Sequence, residues 1–277
     1  MDANKIATKK YGQNFLQDTL YIDKIIQSMP EDNLPVAEIG PGLGDLTRQL
    51  LRAKHVRAFE IDTRLCGYLQ EQFCSEIEEQ RLELVCNDVM HEWSDKNLLK
   101  QKYHLVANLP YYIATNLIIK ALHDTNCCSI TTMVQLEVAQ KFSAKNGKKN
   151  FSALSVLAQS CGEAEILFEV PPYAFTPPPK VVSAVLSIRK SGSLDDLGFE
   201  RFLKEAFKQP RKKLIKNLSG IYDKQKLLYL FELLSLDPNA RPHEVVTSVY
   251  HRLYNELTKE VTDGEQQHTT TELKSTK

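Results

Sequence analysis

The 277-residue chain carries 35 basic and 35 acidic side chains, so its formal charge is zero and any case for a nucleic-acid partner must rest on local patches. Its length suits one large domain plus a small one, and its composition is that of an ordinary globular protein. No apolar run approaches the roughly 18–20 residues that span a bilayer, and Met1-Asp2-Ala3-Asn4-Lys5 lacks the apolar core of a secretion signal, so neither a membrane nor an exported protein is expected, but a cytoplasmic one.

Residues 1–18 are polar and basic, with Lys5, Lys9 and Lys10, and end in Tyr11-Gly12-Gln13-Asn14-Phe15-Leu16. Residues 20–29 show helical spacing, with Ile22, Ile25, Ile26 and Met29 on one face, and Pro30 helps to stop the helix. Short apolar strands are predicted near 35–39, 56–60, 82–86, 104–107 and 131–136, with helical patterns such as 43–51 and 63–73 between them. That rhythm argues for a parallel sheet covered by helices on both faces. Two more strands, 165–170 and 184–189, flank a Pro-rich segment around Phe175 that can be neither helix nor central strand. Ser191-Gly192-Ser193 reads as a domain boundary, followed by helical patterns at 199–207, 212–218, 224–234 and 245–257. From about 259 onward the chain is polar and is expected to be disordered. The six cysteines form no Cys-x-x-Cys pair and the seven histidines do not cluster, so free thiols and no metal are expected.

Gly40, Gly42 and Gly44 directly follow a strand and precede a helix, the context of a nucleotide-binding turn. Their Gly-x-Gly-x-Gly spacing is not that of dinucleotide binders, which disfavours a nicotinamide dehydrogenase. Glu38 extends the motif to Glu-x-Gly-x-Gly. Glu60 closes the next strand, where a carboxylate can accept hydrogen bonds from both ribose hydroxyls, and Asp88 closes the third. Either carboxylate alone could be a helix N-cap. The ordered set of glycines, Glu60, Asp88 and Asn108, each at a strand end, points instead to one site.

Asn108-Leu109-Pro110-Tyr111 ends the strand at 104–107. An adenine amine is a poor nucleophile because its lone pair is delocalised into the ring. The Asn108 side-chain oxygen and the Leu109 main-chain carbonyl are acceptors that would draw the amine towards a pyramidal nitrogen. Pro110 stiffens the loop, and Tyr111 can stack on an extruded base. Phe175 is a second base contact or, equally, a core residue. With a sulfonium methyl donor, catalysis reduces mainly to placement and electrostatics.

With these motifs, and with Val134-Gln135-Leu136-Glu137-Val138-Ala139 and Phe175-Thr176-Pro177-Pro178-Pro179-Lys180-Val181, the chain resembles the small-subunit (16S) ribosomal RNA adenine dimethyltransferase family over almost its whole length. The resemblance implies a Rossmann-like S-adenosylmethionine-dependent methyltransferase domain with a mainly parallel sheet, at 19–190. It implies an arm at 1–18 that covers the cofactor and a small all-helical RNA-binding domain at 195–258. It also implies that Asn14, Leu16, Gly40, Gly42, Glu60, Asp88 and Asn108 bind the cofactor, Gly40 beside its methionine part, Glu60 at the ribose and Asp88 at the adenine. The expected reaction is dimethylation of two adjacent adenosines in the 3′-terminal hairpin loop of small-subunit rRNA, in an assembling 30S-type particle, by a monomer. Tyr112 departs from the Asn that often follows the motif's Tyr in the family.

Lys204, Lys208, Arg211, Lys212, Lys213 and Lys216 form a basic run opposed only by Glu205. It reads either as solvated surface or as phosphate contacts, with Arg211, Lys212 and Lys213 at its centre and further charge at 145–149. Rival readings are an antibiotic-resistance-type methyltransferase of large-subunit rRNA and a non-catalytic assembly factor. Leu109 in the motif and the full helical tail favour the small-subunit enzyme over the first, and Glu60, Asp88 and Asn108 argue against the second.

Overall fold

The computed structural model describes residues 3, 8, 12–93 and 96–271, with side chains as far as Lys259; Lys5, Lys9, Lys10 and Tyr11 of the arm lie outside the described residues. Two compact units divide the chain. The first contains residues up to Ser143 together with Ala158–Leu194, and the second contains Ala144–Leu157 together with residues from Asp195 on.

In the first unit, the short apolar runs of the central strands are buried on both faces, as parallel sheets require, while the edge strands stay partly exposed. In chain order the strands are β1 (Phe15–Leu16), β2 (Val36–Ile39), β3 (Val56–Phe59), β4 (Leu82–Val85), β5 (Tyr103–Asn108), β6 (Cys127–Gln135), β7 (Gly162–Val170), β8 (Phe175–Thr176) and β9 (Ser183–Lys190). The main sheet has the order β4-β3-β2-β5-β6-β9-β7. All pairs from β4 to β6 are parallel, and β9 runs antiparallel to both β6 and β7. The chain starts at β2 and builds outward in one direction to β4, then in the other from β5. The crevice beyond the carboxyl ends of β2 and β5 is therefore the topological switch point, where such sheets bind ligands.

The helices of this unit are α1 (Thr19–Gln27), α2 (Asp45–Leu50), α3 (Thr63–Gln72), α4 (Cys74–Glu78), α5 (Val89–Glu92), α6 (Ala114–His123) and α7 (Leu136–Ser143). Helix α8 (Ala153–Cys161) contributes residues to both units. Asp18, Asp62 and Asp88 start α1, α3 and α5 by accepting a main-chain N–H two residues on. Ile22, Ile25, Val36, Leu50, Leu69, Phe73 and Val106 belong to one buried cluster on the sheet.

The second unit holds α9 (Leu197–Ala206), α10 (Leu214–Leu218), α11 (Lys224–Leu233) and α12 (Thr247–Thr271). Its core is aromatic, with Phe199 stacked on His251 at 4.2 Å and Phe207 beside Tyr250 at 5.4 Å.

Three sequence expectations differ from this structure. The small unit is not confined to the chain beyond Ser193: residues 144–157 join it, because the Phe151 ring lies 6.1 Å from Phe207 and the Gly147 N–H donates to the His243 carbonyl at 2.6 Å. The last helix continues through the segment expected to be disordered, as far as Thr271, since polar residues extend a helix already anchored by buried Tyr250, Leu253 and Leu257. Residues 272–277 lie outside the described residues. Cys66 and Cys86 are joined in a disulfide, although 20 residues separate them, because the start of α3 and the end of β4 lie side by side with Cα atoms 5.9 Å apart. Among the described residues, no helix is long and apolar enough to cross a membrane.

Candidate active site

One pocket opens at the switch point, lined from the arm by Gly12, Asn14 and Leu16, from the turn after β2 by Gly40 and Gly42, and from the next strand ends by Glu60, Asp88 and Asn108. Every cofactor residue expected from the sequence is therefore in one place.

The turn after β2 is left-handed at Gly40 (φ 70°), Gly42 (φ 61°) and Gly44 (φ 83°). At Gly42 a side chain would meet the Phe15 ring at 2.8 Å, so glycine is needed both for the conformation and for the arm to lie close. The Gly42 N–H donates to Glu60 at 3.3 Å, and the Asp62 N–H donates to the other Glu60 oxygen at 2.9 Å. Glu60 is buried, and burial pushes its carboxyl up to about 6 although these N–H groups pull the other way. Glu38, also buried and lining the pocket, accepts from the Thr47 hydroxyl at 2.7 Å. Burial pushes Glu38 up to about 8, Thr47 working against the shift and the Glu60 charge adding to it.

Asp88 fills both roles open to it: it lines the pocket, and its carboxylate accepts the Met90 N–H at 2.9 Å as the N-cap of α5. Gln13 and Asn87 are pocket residues that the motifs do not single out; Gln13 donates to Asp62 at 3.1 Å, and Asn87 accepts the Asp88 N–H at 2.8 Å. The signals that could have found them are the place of Gln13 inside the motif at 11–16 and that of Asn87 directly before Asp88.

Asn108 ends β5 and donates its side-chain amide to the Asn14 main-chain carbonyl at 2.9 Å. Leu109 is buried, and its N–H bonds the Met133 carbonyl of β6 at 3.1 Å. The Pro110 carbonyl accepts the N–H groups of Ile113 and Ala114, which begins α6. Tyr111 lines the pocket, with its hydroxyl 2.6 Å from the Ser183 hydroxyl. Tyr112, also on the pocket wall, is 63% exposed.

Phe175 is not brought to this pocket. It is 2% exposed and belongs to the same buried cluster as Leu16, Val170 and Ala174. The cause is local: β8 pairs with β1, Leu16 opposite Phe175, and the Gln17 and Asp18 N–H groups bond the Ala174 carbonyl, which turns this ring inward. Phe175 thus anchors the arm.

In the second unit, Arg211, Lys212 and Lys213 are exposed in the turn before α10, which starts at Leu214 rather than at 212. Lys213 donates to Asn239 at 2.6 Å, while Lys208 is paired with Glu205 at 3.0 Å.

The pocket suits a nucleoside cofactor: a glycine turn that lets the backbone approach, a buried carboxylate able to accept from hydroxyls, and apolar walls from Ile61, Leu65 and Val89. Fold and site together define a Rossmann-like methyltransferase. The ribosomal RNA adenine dimethylase family model matches residues 4–259. The ribosomal RNA small subunit methyltransferase A of Sulfurimonas denitrificans is 53% identical over 249 residues, 90% of this chain and 93% of that one. The one from Aliarcobacter butzleri is 49% identical over 254 residues, covering 91% and 96%. Among solved structures, a dimethyladenosine transferase from Plasmodium falciparum shares the fold at a TM-score of 0.75 and 24% identity, covering 88% of this chain and 98% of that one. The 23S rRNA methyltransferase ErmE gives a TM-score of 0.67 at 25% identity, covering 89% and 100%. The chain belongs to the ribosomal RNA adenine dimethylase family; it is an S-adenosylmethionine-dependent methyltransferase.

Proposed function

We propose that this enzyme dimethylates the exocyclic amines of two adjacent adenosines in the 3′-terminal hairpin loop of small-subunit rRNA. The observation that carries the reading is the placement of Asn108-Leu109-Pro110-Tyr111 on the same pocket as Gly40, Gly42 and Glu60. The names of the Sulfurimonas denitrificans and Aliarcobacter butzleri relatives support the small subunit over the large.

S-adenosylmethionine, when bound, supplies an electrophilic methyl group. With the cofactor bound, Glu60 would accept from its ribose hydroxyls, Asp88 would hold its adenine, the turn at Gly40 and Gly42 would hold its methionine part, and Asn14 and Leu16 would cover it. On the substrate side, Asn108 has its NH2 turned to Asn14, which leaves its oxygen for the target amine. That oxygen and the Leu109 carbonyl accept the two amine hydrogens, and Tyr111 stacks on the extruded base, a contact worth about 1–3 kcal/mol. These groups act by placement and charge, without a strong general base.

Arg211, Lys212 and Lys213 contact rRNA phosphates. Exposed together in the turn before α10, they supply a local patch of positive charge, which positions a phosphate backbone without reading its sequence. The substrate is the assembling 30S-type particle, met by a monomer in the cytoplasm, where subunits are built.

The test is transfer from labelled S-adenosylmethionine to small subunits lacking the modification, followed by mass spectrometry of the 3′-end rRNA fragment. Two adjacent dimethyladenosines are expected. Transfer only to naked large-subunit RNA, or binding without transfer, would overturn the reading.

A further inference from the structure

We infer that Ser183 is a positioning residue for methyl transfer, holding the Tyr111 ring in the orientation in which it stacks on the target adenine. The inference rests on the stacking role proposed for Tyr111.

Tyr111 stands in the loop between β5 and α6, where a side chain is ordinarily free to choose among rotamers. Here its hydroxyl lies 2.6 Å from the Ser183 hydroxyl, 72 residues further along the chain. Ser183 is wholly buried and opens β9. It is paired with Gln135 of β6 on one side and Val170 of β7 on the other, so the anchor belongs to the interior of the sheet rather than to a loop. The near end of Tyr111 is fixed as well, through Leu109 bonded to Met133 and the Pro110 carbonyl that begins α6. A ring held at its backbone and at its hydroxyl cannot turn about its side-chain bonds without breaking one of the two attachments. The wall of the pocket is thereby set before any base arrives.

The chemistry gives that fixation a purpose. The Asn108 and Leu109 oxygens take the two amine hydrogens only if the base lies in one plane. Misplacement by about 1 Å costs on the order of a hundredfold in rate. A ring free to swing would still bind a base but would not hold that plane. The effect should therefore fall on turnover rather than on affinity. It should be heavier for the second methyl group, which must be placed on an amine already carrying one.

Ser183→Ala and Tyr111→Phe remove the same hydrogen bond from opposite ends while keeping packing close to native. With small subunits as substrate, each is expected to lower kcat by about 10- to 100-fold, leave KM for S-adenosylmethionine within about twofold, and accumulate monomethyladenosine. The double variant should be no worse than either single one, because one bond is being removed. Ser183→Thr, which keeps the hydroxyl, should restore most of the rate. Multiplying losses in the double variant, or an unchanged kcat in Ser183→Ala, would overturn the positioning role. Tyr111→Ala separates the two readings: inactive Tyr111→Ala beside fully active Ser183→Ala removes only the role of Ser183, whereas fully active Tyr111→Ala removes the stacking role on which it rests.

Discussion

Asn108 donates its side-chain amide to the main-chain carbonyl of Asn14 at 2.9 Å, across 94 residues of sequence. The proposed amine acceptor and the arm that lines the pocket are thus a single hydrogen-bonded unit, so a change at Asn108 reaches both. Asn108→Ala is expected to lower kcat by at least about 10²–10³, the usual effect of removing one preorganised polar group. Cofactor affinity should fall by only a few fold as the arm loosens. Transfer assays beside calorimetric titration with S-adenosylmethionine separate the two effects, and full activity would rule out the acceptor role.

At Gly42 the demand for glycine is double. A methyl group there meets the Phe15 ring at 2.8 Å on a backbone already at φ 61°. A left-handed residue with a Cβ costs about 1–2 kcal/mol, so Gly42→Ala should weaken S-adenosylmethionine binding by roughly tenfold or more. Titration of the purified variant would show it, and unchanged affinity would mean that the arm is not packed on this turn in solution.

Glu38 and Glu60 make the pocket pH-sensitive in opposite senses. The Glu38 carboxyl is raised from 4.5 to about 8, so the folded protein holds this proton more tightly than the unfolded chain does. Its contribution to stability is complete below 4.5 and is lost as pH rises through about 8. The unfolding temperature of the cofactor-free enzyme should therefore fall as pH rises across that window, and Glu38→Gln should flatten the decline; parallel curves would show that Glu38 does not carry the proton. Glu60 is raised to about 6 by burial, and the role proposed for it, accepting from ribose hydroxyls through both oxygens, needs its ionised form. Affinity for S-adenosylmethionine should fall as pH drops through about 6, and Glu60→Gln should bind weakly with no such dependence.

Arg211, Lys212 and Lys213 are tested by salt. Each phosphate contact contributes roughly 0.7–0.9 to the slope of log affinity against log salt. Replacing all three by Gln should weaken RNA binding and reduce that slope by about 2. An unchanged slope would leave the cluster as ordinary solvated surface.

The cofactor side of the pocket was readable in the chain because strand ends, glycines and acidic residues lie within a few positions of one another. Val36–Ile39 running into Gly40 is a local pattern, and so is Asp88 directly after β4 and Cys86-Asn87. What escaped depends on distant pairs. Nothing local in Ser183 points to Tyr111, nothing in Cys66 to Cys86, and nothing in residues 144–157 to Phe207. Phe175 shows the same limit. Its place in the Pro-rich segment left base contact and core packing equally open, and its burial depends on the pairing of Leu16 with it, which only the folded chain displays.

The pairing of β1 with β8 spans only Phe15–Thr176 and Leu16–Phe175 and belongs to a separate two-stranded sheet. Two adenosines that each take two methyl groups require the spent cofactor to leave and a fresh one to enter between transfers. So short a ribbon supplies few main-chain bonds, and the arm is held chiefly by the buried side chains of Leu16 and Phe175, which belong to the core of the first unit. Cofactor exchange between transfers would then work against side-chain packing rather than against a long ladder of main-chain bonds.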